Sequence, residues 1–276
     1  MTAAALAPVE SVLATTYRAA RFADVLRSEW TKIRSVRSTL WTLLVAAVLG
    51  IGLSALFSGL AANAYRTDSG GVRTNWDPTS ISTSGLGIAQ LALAVLGVLV
   101  ISSEYSTGAI RTSLTAVPLR GRFLAAKATV IAAIAFVVGQ VMAFTAFFVG
   151  QALISGDAPT AGLGDPHVLR AVFGGGLYLT LIALFGIGLG AVLRSAAGAI
   201  TILVAMLYVL PGLAQALPSS IKDVVDKFWP TNAGQQITTV VRGDHTLPAW
   251  AGFAVMCTFV AIVLAAATIR LHRRDA

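Results

Sequence analysis

Apolar residues dominate six stretches of the chain, at about 39–61, 85–103, 124–151, 168–193, 197–217 and 248–269. Each is near or above the roughly 20 residues that a helix needs to cross a bilayer. A barrel strand alternates apolar and polar positions, whereas AQLALAVLGVLVIS and AIAFVVGQVMAFTAFFVG are apolar on nearly every face. The pattern predicts an all-α integral membrane protein with six transmembrane helices.

Three shorter amphipathic patterns flank these spans. Over residues 20–38, Phe22, Val25, Leu26, Trp30, Ile33 and Val36 recur at helical spacing, with Arg21, Arg27, Lys32, Arg34 and Arg37 on the other positions. That arrangement suits a helix lying in the membrane interface, its basic residues against anionic lipid; the plainer reading is a charged flank of the first span. Between spans two and three, Gly108 marks a helix stop, and Ile110, Leu114 and Val117 recur at i, i+4, i+7 opposite Arg111 until Pro118 ends the pattern. Arg120 and Arg122 follow, placed to meet phosphates or carboxylates, and Lys127 can snorkel from the base of span three. Before span six, Ile221, Val224, Val225 and Phe228 form one face of a short helix, opposite Lys222, Asp223, Asp226 and Lys227, with Ser219 and Ser220 as caps.

The charge distribution orients the bundle. Of the 276 residues 56% are hydrophobic and only 12% charged, with mean hydropathy +0.80, against about 25% charged in soluble domains. Six spans put both termini on one side with the 103–123 and 194–197 turns, and that side holds fourteen of the twenty Lys and Arg residues. The positive-inside rule then places both termini in the cytoplasm. The net charge of +8 is therefore an inner-face membrane signature and no nucleic-acid footprint. The division that follows is 1–38 as a cytoplasmic N-terminus with the amphipathic helix, 39–270 as the transmembrane domain and 271–276 as a basic tail. Residues 1–16 carry Glu10 and no basic opening region, so no cleaved leader is expected.

RSEWTKIRSVRSTLWTLL at 27–44, SSEYSTGAIRTSLTAVPLRGRFLAAKA at 102–128 and PTNAGQQI at 230–237 resemble the elbow helix, first cytoplasmic loop and late external segment of bacterial ABC-2 type permeases. The likeness runs through all six spans in order. It implies a permease subunit of an ATP-driven transporter, an exporter in the bacterial plasma membrane, working as a dimer with a second copy or close homologue. It also implies that the loop between spans two and three forms a coupling helix seated on a separate ATPase subunit. The residues carried over are Glu104, Gly108, Ile110, Arg111, Leu114, Val117, Arg120 and Arg122 for coupling, and Phe22, Leu26, Trp30, Lys32, Ile33, Arg34 and Arg37 for the elbow. In the family the segment before span six partly covers the external exit, which makes Ile221, Val224 and Phe228 a candidate lid.

The chain contains no G-x-x-x-x-G-K-[ST] phosphate cradle, so ATP and Mg are expected on the partner and no cofactor in this chain. The three histidines fall in different loops or tails and the single cysteine, Cys257, lies inside span six, so neither a metal set nor a catalytic pair is expected. Away from their ends the six apolar runs carry no ionisable residue for a driving proton. A gradient-driven carrier or a non-transporting scaffold or immunity protein remain the alternatives. Gln90, Gln140, Thr145, Tyr208 and Gln215 are readable either as a substrate path or as interhelical hydrogen bonds. Pro211-Gly212 predicts a kink or local unwinding near the outer end of span five.

Overall fold

The computed structural model describes residues 21–67, 76–116, 119–156, 158–243 and 246–273, and among these it contains helices and no strand. The membrane-crossing candidates are α2 (Arg37–Thr67), α4 (Leu86–Ser106), α6 (Arg120–Ile154), α7 (Val168–Leu193), the pair α8 (Ala196–Val204) and α9 (Leu210–Ala214), and α12 (Ala249–Arg273). Between them lie the shorter α1 (Phe22–Ser35), α3 (Pro78–Ser82), α5 (Ala109–Ala116), α10 (Ser219–Phe228) and α11 (Pro230–Gln235). The chain is thus a multi-pass, six-span helical membrane protein.

Helix α7 forms the centre and packs on α4, α6 and α12. Small residues permit the closest of these approaches: a Cβ at Gly97 would fall on the carbonyl oxygen of Ala183, and one at Gly186 on that of Ala94. Backbone therefore meets backbone where α4 crosses α7, the usual reason for small residues between helices in lipid. Span one, by contrast, is mostly exposed along its length, with Leu40, Trp41, Val48 and Leu60 on its outer face, as expected of a helix facing lipid tails.

Several local expectations change. The first span runs on to Thr67, six residues past the apolar run, because Ala61 to Tyr65 contain no helix breaker. Between the first two apolar runs, α3 is nucleated by Asp77, whose carboxylate accepts from the N–H groups of Thr79 and Ser80 at 3.0 and 3.1 Å, with Pro78 at the first helical position. Gln151 at the end of α6 fastens this helix by donating to Pro78 O and Ser82 Oγ, both at 2.9 Å. Ser219 does not cap α10: Pro218 holds the capping position without a side-chain bond, so Ser219 is already helical. The side chain of Ser220 lies outside the described residues.

The break in span five is a π turn, Ala205–Val209. There the Leu210 N–H bonds Ala205 O, five residues back, and Pro211 has no N–H to offer the next carbonyl, so Met206 O has no partner along the helix. The indole Nε1–H of Trp229 supplies it at 2.9 Å. Trp229→Phe therefore leaves a half-buried carbonyl unsatisfied, and thermal unfolding of the purified variant is expected to show a loss of about 1–3 kcal/mol.

Candidate functional site

Helix α1 buries Val25, Glu29 and Ile33, one residue per turn along a single stripe. Phe22, Trp30 and Val36, assigned to the apolar face from their spacing, are instead 40%, 49% and 46% exposed. The helix ends at Ser35, and Val36 is extended between α1 and α2 rather than part of the stripe. Leu26 is half-buried against the core, while Arg34 and Arg37 are exposed. The reason for the rotation is Glu29, 1% exposed, which faces the bundle and not the water.

Glu29 belongs to a four-charge cluster. Lys127 Nζ lies 2.6 Å from Glu29 Oε2 and 2.8 Å from Glu104 Oε1, and Lys32 Nζ lies 2.6 Å from Glu29 Oε1 and 3.3 Å from Glu104 Oε1. Lys127 is 2% exposed. It does not snorkel: two carboxylates within reach satisfy its charge more fully than a stretched path to the headgroups would. Both ammonium groups also stand over the Phe123 ring, 5.8 Å and 5.4 Å from its centroid for Lys32 and Lys127. Two positive and two negative charges cancel, so α1, the end of α4 and the base of α6 are joined by a neutral, largely dry cluster.

Burial alone would raise the Glu29 carboxyl, but the charge and hydrogen bond of Lys127, with those of Lys32, hold it below the usual carboxylate range. For Lys32 burial pulls downward, and its hydrogen bond to Glu29 together with the charge of Glu104 lifts it above the ordinary lysine value. The depressed carboxyl adds stability above its ordinary value of about 4.3 and loses it as pH falls through the folded value; the raised ammonium adds stability below about 10.4 and loses it as pH rises through its folded value. A spin label on the exposed Ser28 should therefore report the same restricted motion from about pH 5 to 9, with release of α1 on stronger acidification.

Helix α5 stands on this cluster. Ile110 is 3% exposed and packs in the same core as Ile33 and Phe123. It therefore anchors α5 to its own chain and does not present an outward docking contact, which corrects the expectation from spacing. Ser113 Oγ lies 3.4 Å from Lys32 Nζ. Gly108 adopts φ +72°, a left-handed conformation that lets the chain turn sharply from α4 into α5. Arg120 turns inward and donates from Nη1 to Leu271 O at 2.8 Å, satisfying a carbonyl in the last turn of α12. Thr115, Leu119 and Arg122 remain outward, Leu119 being 50% exposed, whereas Thr112 is exposed toward the space between α1 and α4. Val117 lies outside the described residues, as do the side chains of Arg111 and Leu114.

A second polar group lies toward the opposite end. Tyr178 OH donates to Gln90 Oε1 at 2.8 Å, Gln90 Nε2 to Gly87 O at 2.8 Å, Tyr208 OH to Gly87 O at 2.7 Å and Gln235 Nε2 to Tyr178 OH at 3.2 Å. Tyr178, Gln235 and Gly87 also line a cavity of about 180 Å³. Gln90 and Tyr208 are thus brought together. Gln140 is elsewhere, donating to Phe173 O at 3.0 Å, Thr145 is half-buried on α6, and Gln215 donates to Asp226 Oδ1 at 3.2 Å. On α10, Ile221, Val224 and Phe228 are 50%, 57% and 52% exposed, so this apolar face points away from the bundle.

Sequence reasoning missed Glu29, Tyr178 and Gln235. Glu29 was detectable, being four residues from both Val25 and Ile33 and so on the stripe they define. Gln235 lies within PTNAGQQI.

A family model described as an ABC-2 family transporter protein matches residues 25–212. The match runs from within α1 to within α9 and includes the whole charge cluster. No curated protein matches the chain.

Proposed function

This chain belongs to the ABC-2 family of transporter membrane proteins and is a permease subunit, and from that premise we propose that its basic end is a cytoplasmic platform for a separate ATPase. The observation that carries the reading is the mounting of α5: Ile110 is enclosed and Ser113 meets Lys32 of the charge cluster, while Thr115 and, at the exit of the helix, Leu119 and Arg122 stay uncovered. A short helix that is braced from behind and bare in front suits the transmission of force.

ATP and Mg bind to the partner, and its nucleotide states bias the bundle only as far as they differ in contact free energy with α5. Motion of α5 passes through Glu104 to α4, and through Lys127 and Glu29 to α6 and α1. Arg120 extends the linkage to α12. Two such permeases, identical or closely related, form the translocation path, each on its own ATPase, and transport runs outward across the bacterial plasma membrane. The polar group at Gln90, Tyr178, Tyr208 and Gln235 lies at the exit side.

Among the described residues of this surface Leu119 is a large exposed apolar side chain, so Leu119→Asp should abolish recovery of a nucleotide-binding subunit when the permease is affinity-purified from its own cells. Recovery equal to wild type, with the membrane bundle intact, would remove α5 and its exit from the docking surface.

A further inference from the structure

A cavity of about 610 Å³ opens between α1, the start of α2, the last turns of α4 and the start of α5. Its volume is within the range of sites that enclose small organic ligands. One wall is apolar, with Leu96 and Leu99 of α4, and Leu99, on this membrane-crossing helix, is 41% exposed. Hydroxyl groups line another part, among them Ser38, Ser103 and Thr112. The floor is the charge cluster. Lys32, its side chain 43% exposed, and Glu104 both border the space.

Glu104 makes its ion pairs through Oε1 alone. The residue is 8% exposed, and its Oε2 is buried without any hydrogen-bond partner. A bare carboxylate oxygen in such surroundings is costly and calls for a donor. Water can meet the hydroxyls and the charged floor, but it gives the wall of Leu96, Leu99 and Val100 no apolar partner. A metal ion would want several oxygen ligands, and among the described residues no group of three or more acidic, His or Cys side chains gathers to hold one. The missing group is an N–H donor with positive charge, attached to something apolar.

We propose that this cavity binds an amphiphile bearing a primary ammonium group, which enters sideways from the adjoining leaflet. The ammonium pairs with Glu104, the anionic or ester oxygens near the head meet Lys32 and the hydroxyls, and the tail follows Leu96 and Leu99. The same chemistry comes from two sources, an ethanolamine phospholipid of the membrane or a soluble amphiphilic amine. The site adjoins the backing of α5, so occupancy also stiffens the mounting of that helix. The inference requires no ATPase, and its failure would leave the permease reading untouched.

The test uses the full-length protein in detergent and native mass spectrometry with short-chain ethanolamine, choline and glycerol phospholipids, and with dodecylamine in a separate arm. Choline carries the charge without an N–H and glycerol carries neither. The expected result is one ammonium amphiphile held per protomer, at least about tenfold more tightly than the choline lipid. Ser103→Trp and Thr112→Trp, which fill the space from two sides, should each remove that preference while the protein still unfolds cooperatively. Preference for the ethanolamine lipid identifies the membrane source, and preference for dodecylamine alone identifies the soluble one. Equal retention of choline and ammonium forms, or a preference that survives both substitutions, overturns the proposal.

Discussion

Lys127→Met is expected to release α1 from the bundle and to lower stability by about 3–5 kcal/mol, the usual result of breaking a buried ion pair from one side. Lys127 is nearly inaccessible and faces Glu29 Oε2 at 2.6 Å and Glu104 Oε1 at 2.8 Å. Its removal leaves two carboxylates against the one remaining ammonium, Lys32, inside the protein. Hydrogen exchange over residues 22–35 should accelerate, and thermal unfolding of the purified protein should move down. Combining Lys127→Met with Glu29→Gln removes one of the stranded charges, so the double variant should be more stable than the sum of the two single losses. Strict additivity would mean that the two residues do not sense one another. In a complex with its ATPase, the single variant should hydrolyse ATP with transport diminished more than hydrolysis.

The crossing of α4 on α7 sets the second large effect. Gly97→Leu and Gly186→Leu should each prevent the two helices from docking, because the first side-chain atom already meets a carbonyl oxygen, that of Ala183 or of Ala94. Rigid backbone cannot turn aside as a side chain can, so the cost exceeds the roughly 1–3 kcal/mol typical of overpacking. Gly52→Leu on α2 is the control, since nothing lies within 4 Å of a Cβ there. The expected outcome is aggregation on detergent extraction for the first two and wild-type behaviour for the third. A stable Gly97→Leu protein would place the α4–α7 contact elsewhere.

The six spans were legible because hydropathy acts over about 20 residues and overrides local detail. The pattern at 109–117 also predicted a helix, and Ala109–Ala116 is one. Which side of it faces inward was not legible. Spacing groups Ile110 with Leu114 and Val117, but only the arrival of α1 and α6 decides that Ile110 is enclosed. The charge cluster fails in the same way. Glu29, Lys32, Glu104 and Lys127 are scattered over almost a hundred positions; Glu104 and Lys127 stand at the ends of apolar runs and Glu29 and Lys32 in the basic stretch before the first, places where charge normally reaches water. Pairing inside the fold reverses that expectation. An interruption of the helix near Pro211 was evident from proline chemistry, whereas its form, a π turn whose Met206 carbonyl is met by Trp229 eighteen residues beyond the proline, was not.

The central claim, that α5 carries force between an ATPase and the spans, is tested most directly by a photo-crosslinking residue placed at Thr115, on the exposed side of that helix, with a second at Val224 on α10 as the control. Thr115 should capture a nucleotide-binding subunit, with a yield that differs between the ATP and ADP states, and Val224 should capture none. An assembled complex that hydrolyses ATP yet gives no crosslink from Thr115, or from the nearby Leu119 and Arg122, would contradict the account.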